Sequence, residues 1–183
     1  FLFFRLYLSV TPTFIIEPVF FILKIVRGDG LKYALSYNAF HNLESIGIDG
    51  KDEKLVKYTY KNGNGRLKAI TYANGNTMKA LYNSAGQMVA EKWFETEAKA
   101  NDANAAPIAH YKYVYDGDGN IVRSIDIYGK KEYNYEYEEG RIVRAAEADI
   151  ELSGEVVTDK DIISTIKYKY DSEGNLISKD AED

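Results

Sequence analysis

Cysteine is absent from the 183 residues, which excludes disulfides and thiolate metal sites and leaves the redox compartment open. Histidine is scarce: His41 and His110 stand 69 residues apart, and no serine lies in a nucleophile-elbow context. Long apolar runs are missing as well. A membrane-spanning helix needs about 20 apolar residues, whereas the longest uncharged run near the start, residues 6–16, has 11 and contains Pro12. The basic start and small-residue cleavage site of a secretory signal are not visible either. The net charge is −5, with Lys and Glu interspersed along the chain, which argues against a nucleic-acid partner and for a solvated surface.

Tyrosine and glycine are abundant, at 16 and 14 residues, and they recur on a beat. The segments YNAFHNL, YKNGNGRL, YNSAGQM, YDGDGNI, YEEGRI and YDSEGNL begin at Tyr37, Tyr60, Tyr82, Tyr115, Tyr137 and Tyr170. The intervals are 23, 22, 33, 22 and 33 residues, so a super-repeat of 55 carries Tyr60 to Tyr115 to Tyr170. A fixed period of this kind is the signature of a repeat architecture. Before the turn the residues alternate, as in Ile166, Tyr168 and Tyr170 with Lys167 and Lys169 between them. That period of two marks a half-buried strand. After each tyrosine come Asp, Asn, Ser or Gly, and the turn glycines are Gly65, Gly86, Gly119, Gly140 and Gly174. Asp and Asn bond their own backbone two residues ahead, and Gly accepts positive φ without steric cost. Each unit therefore reads as a tight β-hairpin.

A second set of turns alternates with the first: Asp49-Gly50-Lys51, Asn74-Gly75, Tyr128-Gly129-Lys130 and Ser153-Gly154-Glu155. Two turn classes in alternation predict an all-β fold, an up-and-down antiparallel meander of about 12 strands, curled or open-barrel-like, with helix nearly absent. The Tyr-led turns line one rim and the second set the other. The two long intervals place their extra residues at 95–109, where the Ala-, Asn- and Glu-rich stretch 95–106 reads as a loop in preference to a short helix, and around 146–163. These hairpins should project beyond the second rim by roughly 17 Å at the usual strand rise. Residues 28–183 form the repeat domain. Residues 1–27 match no unit, and the chain lacks an initiator Met. That apolar segment reads as fragmentary or non-native sequence, or as two aromatic-rich strands joined at Thr11, Pro12 and Thr13.

Y-D-G-D-G-N-I at 115–121 and Y-D-S-E-G-N-L at 170–176 resemble the YD repeat of the Rhs family. The array from Leu31 onward also resembles YD-like domains with a porin-like sheet in surface lipoproteins of Bacteroidetes. Four units depart from the pattern, carrying Asn38, Lys61, Asn83 and Glu138 where the Asp stands, and His41 replaces the turn glycine of the first. The Rhs resemblance implies a β-shell around a toxin; the lipoprotein resemblance implies a cell-surface role and leaves function open.

Catalytic, cofactor and metal residues do not emerge from the sequence. His41 reads as a turn residue tolerating the left-handed conformation and His110 as an alternating strand residue. Asp116, Asp118 and Asn120 have the start of a calcium loop, but Ile121 and Ile127 stand where its Gly and Glu belong, so they read as turn chemistry. The six lead tyrosines and five turn glycines read as structural repeat residues. A tyrosine ladder could stack a sugar, yet cross-strand Tyr pairs stabilise a sheet unaided. The expectation is a non-enzymatic domain without a cofactor, serving as a structural or binding surface of a cell-envelope or secreted, extracytoplasmic protein. A glycan or another protein would bind through the long hairpins, and a possible N-terminal anchor would give the only membrane contact. The alternatives are a fragment of an Rhs-type toxin-encapsulating shell and a carbohydrate-active enzyme with convergent carboxylates.

Overall fold

The computed structural model describes residues 23–61 and 65–182. Thirteen antiparallel strands follow one another up and down in chain order, with a single five-residue helix among the described residues. The expected all-β meander is therefore the observed fold. Two compact units divide at Thr77 and Met78. The first holds β1 (Lys24–Val26), β2 (Lys32–Tyr37), β3 (Leu43–Ile48), β4 (Lys54–Tyr60) and β5 (Leu67–Tyr72). Among the described residues the meander starts with β1 paired to β2, inside the segment read as lying outside the repeat. The strands expected around Thr11, Pro12 and Thr13 lie outside the described residues.

The second unit takes in most of β6 (Thr77–Tyr82), then β7 (Met88–Phe94), α1 (Glu97–Asn101), β8 (Ala109–Tyr115) and β9 (Ile121–Asp126). It ends with β10 (Lys131–Glu138), β11 (Arg141–Ser153), β12 (Val156–Tyr170) and β13 (Leu176–Glu182). Residues 95–109, expected to be a loop, contain the helix. Thr96 at φ −143° caps it, its hydroxyl accepting from the Lys99 N–H at 3.2 Å, and Glu97 sits in the first turn, where the helix dipole favours an acid. Ala100 is buried, and Lys79 Nζ donates to its carbonyl at 2.7 Å.

Every Tyr-led hairpin with a described ladder carries a β-bulge at the same place. Tyr115 pairs with Ile121 and Val114 with Arg123, which leaves Val122 unpaired. The same step leaves out Glu44, Lys68, Val143 and Ile177 opposite Tyr37, Tyr60, Tyr137 and Tyr170. Cross-strand partners share a face. Ile121 thus shares the face of Tyr115, while Arg123, two residues on, shares that of Val114. A bulge bends its strand and increases the local twist. The repeat therefore encodes a regular kink just beyond each turn.

The second set of turns forms as expected, with Gly50, Gly75 and Gly154 at positive φ. At Tyr128-Gly129-Lys130 the left-handed residue is Lys130 (φ 52°) rather than the glycine. Gly129 is required for a different reason. Its N–H donates to the Asp126 carboxylate at 2.8 Å, and a Cβ there would sit 2.8 Å from Asp126 Cγ.

Candidate functional site

The lead tyrosines are half-buried, and each described hydroxyl donates to main chain. Tyr60 bonds the Leu43 carbonyl at 2.6 Å and Tyr115 that of Met88 at 2.7 Å. Tyr137 bonds Ile121 at 2.9 Å and Tyr170 bonds Ile142 at 2.8 Å. For Tyr60, Tyr115 and Tyr137 the acceptor is the first strand residue after the preceding Tyr-led turn, and for Tyr170 it is the second. Each hairpin is thereby tied to the hairpin before it. Burial pushes the phenols of Tyr60, Tyr115 and Tyr137 above their ordinary value. These hydroxyls are committed to the fold. Tyr37 and Tyr82, the remaining lead residues, are likewise half-buried. Replacing Tyr115 by Phe keeps the ring and orphans the Met88 carbonyl, so urea denaturation should show a loss of about 1 kcal/mol.

The residue after the tyrosine closes the turn through its side chain. Asp116 Oδ1 accepts from the Asp118 and Asn120 N–H groups at 3.0 and 2.9 Å, and its Oδ2 accepts from Asn120 Nδ2 at 3.0 Å. Asp171 and Asn175 repeat the arrangement. The side-chain bonds from Asn120 and Asn175 hold both carboxyls below the usual carboxylate range. Turn bonding thus occupies the Asp116 side chain. Asn38 and Asn83 make the same Oδ1 bonds, to the N–H groups of Phe40, Asn42 and Gln87, so the Asp-to-Asn changes leave the device intact. His41 takes the left-handed conformation (φ 66°) in place of the turn glycine, as do Gly65, Gly86, Gly119, Gly140 and Gly174 in the other units.

Gly174 has a second constraint, since a Cβ would meet the Arg141 guanidinium, 2.8 Å from Cζ, and that guanidinium lies 5.8 Å from the centre of the Tyr170 ring. Gly174→Ala should cost about 1–2 kcal/mol, because an alanine strains at φ 87° and displaces the cation from the ring. Chemical denaturation of the variant checks this.

The two faces of the second unit differ in chemistry. Tyr113, Ser124 and Tyr133 form one cross-strand row, joined on the same face by Tyr111, Tyr135 and Trp93. Burial first, then Glu91, raises the Tyr113 phenol. The opposite face carries Lys92, His110, Lys112, Ile125, Glu132 and Ala148 in paired positions. Ala148 is 0% exposed and Glu132 1%. Glu132 accepts from Arg123 Nε at 2.7 Å, Lys160 Nζ at 2.8 Å and Asn134 Nδ2 at 3.0 Å. Desolvation pushes its carboxyl up, but these donors together outweigh it and hold the group below its ordinary value.

A second charged group forms at the turn between β11 and β12. Glu155 lies 3.4 Å from both Lys92 Nζ and His110 Nδ1, and 3.5 Å from Lys112 Nζ. Strands β8, β9 and β10 separate β7 from β11 in the ladder, so this hairpin turns back across the face instead of projecting past the rim. Among the two long insertions, then, one is a short helix with a buried alanine and the other a returned hairpin. The second hairpin therefore does not project past the rim as expected. The sequence offered no signal for the Glu132 or Glu155 groups, whose partners lie up to 63 residues apart.

Among the described residues no group of three or more His, Asp and Glu could hold a metal ion, and no helix is long and apolar enough to cross a membrane. An open depression in the first unit, lined by Asp52, Lys54, Lys57, Thr71 and Tyr72, mixes charges of both signs.

No protein family and no curated protein match the chain in sequence. Solved structures do. The Photorhabdus luminescens Tc holotoxin pore matches 92% of this chain at 16% identity and a TM-score of 0.56, and the TcdB2–TccC3 complex matches 88% at 16% and 0.56. This chain has their fold. It spans 9% of the length of each of those chains, and at this identity the likeness is one of fold alone. The expected Rhs-type meander and the solved toxin complexes are thus alike in strand architecture.

Proposed function

We propose that the chain is a section of wall from an Rhs-type β-shell, non-enzymatic and working outside the cytoplasm. The observation that carries this reading is the tyrosine latch. Tyr60, Tyr115, Tyr137 and Tyr170 each fix one hairpin to the one before it through a main-chain carbonyl, so the repeated residues serve extension of the sheet. Among the described residues β1 and β13 end the strand order, and a strand at the end of a sheet invites a further one. The fold shared with Tc toxin complexes supports the wall over a free-standing binding surface. The return of the β11–β12 hairpin supports it too, because it leaves one long hairpin engaged with its own sheet. Limited proteolysis of the full natural gene product tests the reading. A wall predicts that a further segment of that product resists protease until the β-repeats are unfolded by denaturant. Cleavage of every non-repeat segment while the repeats stay folded would overturn it.

A further inference from the structure

The two faces of strands β7–β11 are covered unequally. On one face Ala90, His110, Ile125, Glu132 and Ala148 are buried. On the other, which carries Trp93, Tyr111, Tyr113, Tyr133 and Tyr135, no strand residue is buried. Two cross-strand rows run over that open face. Glu91, Tyr111, Asp126, Lys131 and Asp149 form one, and Tyr113, Ser124, Tyr133 and Glu147 the next. Together they hold four carboxylates and one lysine, whereas Lys92, Lys112 and Arg123 stand on the opposite face. Lys131 is held by Asp149 at 2.7 Å and Glu147 at 3.2 Å, which leaves that pair of acids one negative charge in excess. Among the described residues no cation pairs with Glu91 or Asp126. Glu91 accepts from the Trp93 indole N–H at 3.4 Å, and Asp126 from the N–H groups of Tyr128 and Gly129. The charge is felt by the rings: burial first, and then Asp126 and Glu91, raise the Tyr111 phenol. Cross-strand tyrosines stabilise a sheet unaided, but they make no demand for unbalanced negative charge beside them.

We propose that this open face docks a basic peptide in the polyproline II form, laid across strands β7–β11 with a lysine or arginine at every third residue. Glu91, Asp126 and Asp149 stand in one row on alternate strands. At a strand spacing of about 4.8 Å their positions recur about every 9.6 Å. A polyproline II helix turns once in three residues and rises about 3.1 Å per residue, so every third side chain returns to one face at about 9.3 Å. A β-strand returns a side chain to one face about every 6.7 Å and falls out of step with the carboxylates. The rings fill the intervals. Tyr111 lies between Glu91 and Asp126 in the row, with Trp93 and Tyr113 diagonal to it and to Glu91. Such ring faces take proline rings and the methylene stems of basic side chains, and a cation over a ring gains further attraction. An acidic partner meets repulsion here, and a neutral glycan leaves the charge of Glu91 and Asp126 unanswered. The docking needs only the paired rows, so it holds whether or not the chain is a section of wall.

Fluorescence anisotropy of a labelled peptide of four Arg-Pro-Pro repeats, titrated at low salt with the full 183-residue chain, reads the docking. This peptide should bind about tenfold tighter than one of the same composition whose arginines form a single block, because the block meets one carboxylate where the repeat meets three. Glu91→Gln combined with Asp126→Asn keeps an acceptor for Trp93 and for the turn, and should weaken binding about tenfold. Glu136→Gln, on the opposite face beside Arg144, should leave it unchanged. Should the double variant fail to fold, the two peptides on the wild-type chain decide alone. No binding of the periodic peptide, equal affinity for the periodic and blocked peptides, or unchanged affinity in the folded double variant would overturn the proposal. Binding of maltoheptaose in place of the peptide would overturn it in favour of a glycan.

Discussion

Glu132→Ala should lower the unfolding free energy of the second unit by about 3 kcal/mol, the lower end of the cost of breaking a buried ion pair from one side. Glu132 is 1% exposed and takes bonds from Arg123, Lys160 and Asn134. Truncation leaves two cations facing each other across a hole between Ile125 and Ala148, its cross-strand neighbours. The lower end applies because the Arg123 and Lys160 side chains each keep 35% exposure and can recover some hydration. Glu132→Gln retains the shape and part of the bonding, so it should cost less. The pH dependence separates the two contributions. Because the folded carboxyl is held below its ordinary value, its ionic contribution is complete above that value and is lost as pH falls through the depressed one. Urea denaturation of wild type and Glu132→Gln should therefore differ at neutral pH and converge in acid.

Removing residues 150–160 and closing β11 onto β12 with a two-residue turn should cost at least about 4 kcal/mol, a large fraction of the stability of an ordinary domain. The deletion takes away Ile150, which is 3% exposed, worth about 2–5 kcal/mol as a buried aliphatic side chain. It also takes Lys160 from Glu132 and Glu155 from His110. Replacing only residues 152–159 with a short turn should cost less than about 1 kcal/mol, since none of them is buried. Equilibrium denaturation of the two deletions should thus divide the hairpin into a base that belongs to the core and a tip that does not. Equal costs for both would contradict this division.

The repeat was legible because its determinants are local. Turn residues at fixed offsets from Tyr37, Tyr60, Tyr82, Tyr115, Tyr137 and Tyr170 place the strand ends, and His41 at φ 66° confirms that the spacing identifies the left-handed position even without glycine. The bulges were not legible, since a single unpaired residue such as Val122 or Val143 leaves the alternation on either side looking regular. A loop was preferred to a short helix at 95–106 for a similar reason: Glu97–Asn101 is only five residues, and its one strong signal is Thr96 before an acid. The tyrosine rings suggested a face for stacking, but the destination of the hydroxyl depends on which carbonyl the preceding hairpin presents. The Lys160–Glu132 bond and the Glu155 group were beyond reach, because those partners come together only when β11 and β12 turn back over the sheet.

A reconstruction of the full natural gene product by electron cryomicroscopy tests the central claim most directly. If the chain is a section of shell wall, residues 24–182 will lie within a continuous curved β-sheet that encloses a cavity, with β1 and β13 each hydrogen-bonded to further strands. A free-standing domain with both edges open to solvent would contradict the account.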